Sequence, residues 1–470
     1  MIKPLKKIEI KVIFLGLLPF IFSAFAGIDL ITPLFLVCLY LYAQARRLFI
    51  KNCNLPNLAL SFLIIFVSSY FICGNRMPLY YIPFSVIPML LMLLFGSLEI
   101  SLLIALGAGI SVALAMALAK GGQTMTLWSI GNQTTAFRPA AAVSRYPLQL
   151  LLLFLVSAIL GAILVSGARK RATIMRAGII TGIAQLLVLI LTEPFKKAFS
   201  ISSLWFLLNG VVSSIIVLGI LPIFEYLFST VTNISLLELA DFHQPLLELL
   251  IEKAPGTYHH SLIVGNLSET AARSIGANAL LSRVGAYYHD IGKLQKPEYF
   301  SENQDRETNK HDTLTPTMSK LIIMNHVKEG IELAKKYKLN PLLIDFIEQH
   351  HGNSLVYYFY RRALESHQEN QDIKEEGFRY PGPKPNSKET AIVLLADSVE
   401  AAARALKEPS PAKIEELVHK VINNKFIDGQ LDECDLTLKD LEKISAVFIR
   451  LLCGIYHSRT NYPDNRINQP

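Results

Sequence analysis

The stretch GAYYHDIGKL, from Gly285 to Leu294, sets a histidine and an aspartate side by side after an apolar run and just before a glycine and a lysine. Its apolar spacing with Gly292 behind it predicts a helix ending near Asp290. Neighbours on a helix point about 100° apart, so His289 and Asp290 reach different parts of one site rather than duplicating each other. A carboxylate has two oxygens and can bridge two ions, whereas an imidazole caps one.

Outward from this pair, the flanking sequence supplies more helices and more ligands. The segment LLELADFHQPLLELLIEKAPG reads as one helix stopped by Pro255-Gly256. A second helix runs from Ser261 to about Ile275. TPTMSKLIIMNHVKEGIELAKKY is a third, with Thr315 as N-cap and Pro316 at the first helical position. PLLIDFIEQHHGN is a fourth, ending at Gly352, and ETAIVLLADSVEAAARAL is a fifth. No alternating strand pattern is present, and the region reads as all-α. His260, His289-Asp290, His326, His350-His351 and Asp397 fall on or at the ends of these helices. Asp397 follows the apolar run AIVLLA, where a carboxylate is costly unless paired or metal-bound. Nitrogen and oxygen donors without thiolate suit iron, manganese or zinc. Two such ions about 3.5–4 Å apart make a hydrolytic centre that activates a bridging water and clamps phosphoryl oxygens.

Position in the chain gives the second half of the reading. The protein has 470 residues, 51% hydrophobic and 18% charged, but the two halves differ. All eleven histidines lie at or after His243. Residues 1–230 are long apolar runs, and eight spans are predicted over about 12–28, 29–46, 57–74, 78–96, 98–119, 147–167, 174–193 and 203–228. Three basic groups mark the cytoplasmic side: Lys3, Lys6, Lys7 and Lys11; Arg46, Arg47 and Lys51; Arg169, Lys170, Arg171 and Arg176. Arg76, Lys120, Arg138, Arg145, Lys196 and Lys197 fall on the other side, so the bias is clear without being absolute. The even count leaves the C-terminal half in the cytoplasm. No charge lies deep in a span, with Glu99 near an end, which argues against a transporter. The segment 121–146, with Trp128, is the longest outward loop. The net charge of +7 follows mostly from membrane-flanking lysine and arginine, so no nucleic-acid polymer is needed as partner. Cys38, Cys53, Cys73, Cys434 and Cys453 form no CxxC pair and suggest neither disulfides nor a zinc site.

The segments APGTYHHSLIVGNLSETAA, GAYYHDIGKLQKPEYFSENQ, HDTLTP, QHHG, RYPGPKP and LLADSVEAA, in that order, resemble the HD-domain phosphohydrolases of the seven-transmembrane HD family. SLWFLLNGVVSSIIVLGILPIFEYLF, ISLLELAD and RAGIITG carry the likeness into the membrane half. The resemblance implies a membrane-anchored, multi-pass phosphodiesterase of the cytoplasmic membrane. Its cytoplasmic HD domain would convert cyclic di-AMP to linear pApA at a centre of two divalent ions, iron or manganese. The implied metal ligands are His260, His289, Asp290, His326, His350, His351 and Asp397, with Asp290 as the bridge and His260 preferred over His259 because serine follows it. Lys293, three residues beyond Asp290, would face the substrate phosphate; a lysine serving only the helix dipole is the plainer reading. Arg379 stands where the cyclic di-GMP branch has a glycine before Tyr-Pro, which favours cyclic di-AMP. His311-Asp312 would lie near the substrate without binding metal, and His243, His367, His419 and His457 would take no part.

Domain boundaries follow: 1–230 in the membrane, 231–254 a juxtamembrane helix, 255–460 the HD domain and 461–470 a tail. The family's large extracellular domain has no counterpart, since the first two predicted spans join directly around Ala26-Gly27-Ile28-Asp29. The partners expected are a cyclic dinucleotide and the lipid bilayer, and a homodimer is allowed. Two other functions stay open: an HD hydrolase of another nucleotide phosphate, and a catalytically silent membrane sensor. Bound metal and turnover separate the three.

Overall fold

The computed structural model describes residues 55–74, 79–118, 147–192, 203–304, 309–366, 373–406 and 408–456. The first two predicted spans, the loop 121–146, Lys196, Lys197, His367 and His457 lie outside them. Among the described residues there is no strand, only one isolated bridge between Leu355 and Arg379. The all-α expectation holds. The chain divides into two units, Met1–Ile234 and Ser235–Pro470.

In the first unit six helices are described: α1 (Leu55–Gly74), α2 (Val86–Phe95), α3 (Leu98–Leu118), α4 (Pro147–Val165), α5 (Arg171–Thr192) and α6 (Leu204–Phe228). By length and composition α5 and α6 can each cross a bilayer. Both leave large apolar side chains uncovered, among them Ile183, Leu187 and Leu191 on α5 and Trp205, Ile215 and Ile223 on α6. The two helices approach closely at glycines: a Cβ on Gly210 would lie 2.1 Å from the Gly178 carbonyl oxygen, and one on Gly182 would lie 2.4 Å from that of Leu207. Small residues at such crossings let backbones pack in an apolar solvent.

The predicted span 78–96 is corrected. It breaks into a 3₁₀ turn at Leu79–Tyr81 and the ten-residue helix α2. Ten residues rise about 15 Å, half of a bilayer core. Pro83 is the cause: it disfavours helical geometry at Ile82 and donates no hydrogen bond. The carbonyls freed at the break are taken up by Asn209 of α6, whose Nδ2 donates to Tyr80 O at 2.6 Å and Ile82 O at 2.7 Å. Near the end of α6 the buried Glu225 accepts from the Thr232 backbone N–H at 2.7 Å.

The second unit continues with α7 (Asn233–Leu239), which begins at the boundary, then α8 (Pro245–Lys253), α9 (Pro255–Ile275), α10 (Ala279–Tyr288), α11 (Pro316–Lys336), α12 (Pro341–Gln349), α13 (Tyr357–Ser366), α14 (Lys388–Arg404), α15 (Pro411–Ile427) and α16 (Leu438–Ile455). The single helix expected over LLELADFHQPLLELLIEKAPG is two, because Pro245 opens a new helix at its first position. Pro255 likewise starts α9 instead of closing α8. Thr315 caps α11 as expected, accepting from the Met318 N–H. A capping box at Ser387 and Thr390 starts α14. Eleven residues of α14 are buried, and its Ala391–Ala396 run packs with Val264 and Leu267 of α9, Ile414 and Val418 of α15 and Phe448 of α16. The helix carrying Asp397 is thus the core helix of this unit.

Candidate metal centre

Five elements deliver the side chains. On α9 the exposed His259 and buried His260 point apart, as adjacent helical residues must. α10 ends at Tyr288; His289 caps it, and Asp290 leaves helical geometry for a 3₁₀ turn over Ile291–Gln295. Gly292 in that turn is irreplaceable on steric grounds: a Cβ there would sit 1.8 Å from the His326 carbonyl oxygen. This close approach seats α11, with His326, directly on the turn bearing Asp290. His350 and His351 follow the last residue of α12.

The seven expected residues fall into two adjoining groups, His260, His289, Asp290 and Asp397 in one and His326, His350 and His351 in the other. Asp290 stands between them. Its Oδ2 lies 3.2 Å from His289 Nε2 and 3.6 Å from His260 Nε2. Its Oδ1 lies 3.4 Å from His326 Nε2 and 3.6 Å from His350 Nε2. Asp397 turns Oδ1 to His260 Nε2 at 3.0 Å and Oδ2 to His351 Nδ1 at 3.6 Å. Four of the rings are oriented through their other nitrogen. Nδ1 of His289 meets Ala286 O at 2.7 Å, that of His326 meets Ile323 O at 2.5 Å, and that of His350 meets Ile347 O at 2.9 Å. His260 Nδ1 meets Glu400 Oε2 at 2.5 Å. Carbonyl and carboxylate acceptors at Nδ1 keep the proton there and leave Nε2 bare for a cation.

The fit to a cation rests on what these atoms do not do. His289 Nε2 and Asp290 Oδ1 are buried and make no hydrogen bond, although each has charged or polar atoms within 4 Å. Convergence without pairing is costly unless a positive ion accepts all the lone pairs. The cluster is compatible with divalent metal. Among the protein groups alone, burial works against charge on Asp290 and Asp397, but the surrounding histidines, and Lys293 at Asp290, outweigh it and hold both carboxyls well below the usual range. Burial likewise depresses the His289 imidazole, yet Asp290 and Asp397 raise it to about 10. His326 goes the other way, to about 4, because burial dominates there.

A cleft of about 450 Å³ opens onto the centre, with Lys293, Phe300, His351, Tyr380 and Arg404 in its walls. Lys293 Nζ lies 2.8 Å from Asp290 Oδ2 and 2.7 Å from Glu302 Oε1, over the ring of Phe300. It is an ion-paired residue of the cleft wall, in the last turn of the 3₁₀ helix. Glu302 is held in turn by the Thr257 hydroxyl at 3.1 Å. Tyr380 of the RYPGPKP loop stacks on His351, ring centroids 4.3 Å apart. Arg379 before it points away from the centre to Asp428 and Glu375. His311 is buried against Phe359 and bonds Tyr299 O at 2.8 Å, while Asp312 meets Arg362; neither joins the two histidine groups. His243 and His419 are exposed. Sequence reading missed Glu302, Glu400 and Arg404. The spacing of the last two after Asp397, three and seven residues, puts them on one helical face with it, a signal that was present.

A family model for HD domains matches residues 257–402, and one for 7TM receptors with an intracellular HD hydrolase matches residues 20–232. The cyclic-di-AMP phosphodiesterases PgpH of Bacillus subtilis and Listeria monocytogenes are each 43% identical to this chain, over 317 and 318 residues. Each alignment covers 66% of this chain and 44% of the relative, so the chain spans under half the length of the curated relatives it matches. The crystal structure of the L. monocytogenes PgpH HD domain with cyclic-di-AMP is 50% identical and covers 47% of this chain and 100% of that one, with a TM-score of 0.44. With both halves matched in order, the chain belongs to the family of 7TM receptors with an intracellular HD hydrolase.

Proposed function

We propose that the chain is a membrane-anchored phosphodiesterase that hydrolyses cyclic di-AMP to linear pApA in the cytoplasm. Two divalent ions, iron or manganese, are its cofactors, held by His260, His289, Asp290 and Asp397 on one side and His326, His350 and His351 on the other. The carrying observation is that the two oxygens of one buried carboxylate, Asp290, face two separate histidine sets. The names of the relatives support cyclic di-AMP as substrate. When bound, a pair of ions supplies an acidified water and neutralises phosphoryl charge.

The protein's own part is orientation and charge. Nδ1 acceptors lock the rings, and Asp290 sets the distance between the two sets. Lys293, steadied by Glu302, offers a cation to the reacting phosphate from the cleft wall, where charge develops in the transition state. Residues 1–230 anchor the enzyme, 231–254 connect, 255–460 form the hydrolase and 461–470 a tail. A substrate panel tests this on the full-length chain in detergent, loaded anaerobically with manganese or iron. Cyclic di-AMP is expected to be cleaved fastest, ahead of cyclic di-GMP, alarmones and mononucleotides. Faster cleavage of any of these would transfer the site to that substrate, and no turnover of any would favour a silent sensor.

A further inference from the structure

The cleft wall holds a second cation that the reaction at the centre leaves unused. Arg404, last residue of α14, bonds Glu400 through Nε at 3.2 Å and through Nη2 at 2.7 and 2.5 Å. Glu400 is buried and grips His260 Nδ1. The same Nη2 lies 2.9 Å from that nitrogen. With the Nδ1 proton donated to Glu400, His260 has nothing to accept from the guanidinium, so the arginine's only bonds there are to the carboxylate. Its Nη1 makes no hydrogen bond among the described residues, and its side chain, 39% exposed, lines the cleft. Across the cleft Lys293 is already bound to Asp290 and Glu302.

The geometry fixes a distance. Arg404 touches one edge of the His260 ring, and the opposite edge, Nε2, faces Asp290 and Asp397. The guanidinium fork therefore stands the width of the His260 ring, plus that contact, from the nitrogen that faces the centre. A substrate with a single phosphodiester leaves that fork empty. One with two places its second anion beside it, and a phosphate drawn out of water needs a cation or several donors in compensation. A planar guanidinium with spare N–H groups is the side chain best shaped for a phosphodiester.

We propose that Arg404 is a specificity-determining residue that binds the non-reacting phosphate of a substrate with two phosphodiester links, selecting cyclic dinucleotides over single diesters. This rests on the proposed phosphodiesterase reading. The test compares kcat/KM for cyclic di-AMP and for bis(4-nitrophenyl) phosphate, a single diester, in the full-length manganese-loaded protein. In Arg404→Gln the ratio of the two should fall about tenfold or more, mainly through KM for the dinucleotide, the loss expected for one hydrogen bond to a charged group. Arg404→Lys, which keeps a charge beside Glu400 but lacks the fork, should show a smaller fall in the same direction. A ratio unchanged within about twofold in both variants, however far each rate drops, would make Arg404 a mere support for Glu400 and overturn the proposal. If Arg404→Gln loses its metal, the lysine variant decides. A wild-type chain that cleaves the single diester but never a cyclic dinucleotide overturns the functional reading, and this assignment with it.

Discussion

Asp290 is one residue asked to do two things, and the distances from its two oxygens make that demand testable. Asp290→Ala should abolish turnover and bound metal together, since both histidine groups lose their common partner. Retention of both would reduce the His-Asp pair to a structural role. Lys293→Ala should slow turnover by about 10²–10³ while metal content stays near normal, because the ammonium adds charge at the phosphate rather than a lone pair at the ion. Metal loss as complete as in Asp290→Ala would instead make Lys293 a support for the carboxylate it touches. The histidines also predict a pH response. His289 is raised from 6.5 to about 10 by its carboxylate neighbours, so its charged form stabilises the folded protein below about pH 6.5 and loses that effect as pH rises through about 10. A metal ion needs the neutral ring, so its stabilising effect grows as the proton's fades. The rise in melting temperature on adding manganese should widen between about pH 6 and 9; a rise that narrowed would contradict this assignment. At this scale the sequence was highly legible. Histidine and aspartate at helix ends advertise themselves. Glu400 and Arg404 did not, because a glutamate and an arginine on a helix are ordinary until the face they share with Asp397 is known to be buried.

Among elements, the legible ones carried strong local punctuation. Thr315-Pro316 opened α11 where expected, and Gly276, with φ of 72°, closes α9 after Ile275. The failures were proline readings: Pro245 and Pro255 start helices here, and Pro83 breaks one, choices that depend on what lies on either side. Two consequences follow from contacts between elements. Gly292→Ala drives a methyl into the His326 carbonyl, and the overpacking should cost about 2 kcal/mol or more, lowering both the unfolding midpoint and metal affinity. A variant that unfolded and bound manganese like the wild type would mean the turn and α11 can part without harm. Asn209→Leu removes the side-chain donor to two carbonyls at the Pro83 break, of which Ile82 O keeps the Phe84 N–H, and should destabilise the first unit by about 1–3 kcal/mol, read as a lower thermal midpoint in detergent. An unchanged midpoint would show those carbonyls satisfied another way.

For the whole molecule, histidine and most of the charge gather in one half of the sequence, and the structure divides into two units, Met1–Ile234 and Ser235–Pro470. Span count was less legible, since apolar runs do not reveal where a helix breaks inside them, as α2 illustrates. The central claim joins both halves into a membrane-held enzyme with paired metal ions. Its most direct test is a simultaneous count of metal and turnover on the full-length protein, purified in detergent and loaded anaerobically with manganese or iron. The account predicts two ions per chain and conversion of cyclic di-AMP to pApA, both lost in Asp290→Ala. Fewer than one ion per chain in the wild type, or turnover that survives without metal, would contradict it.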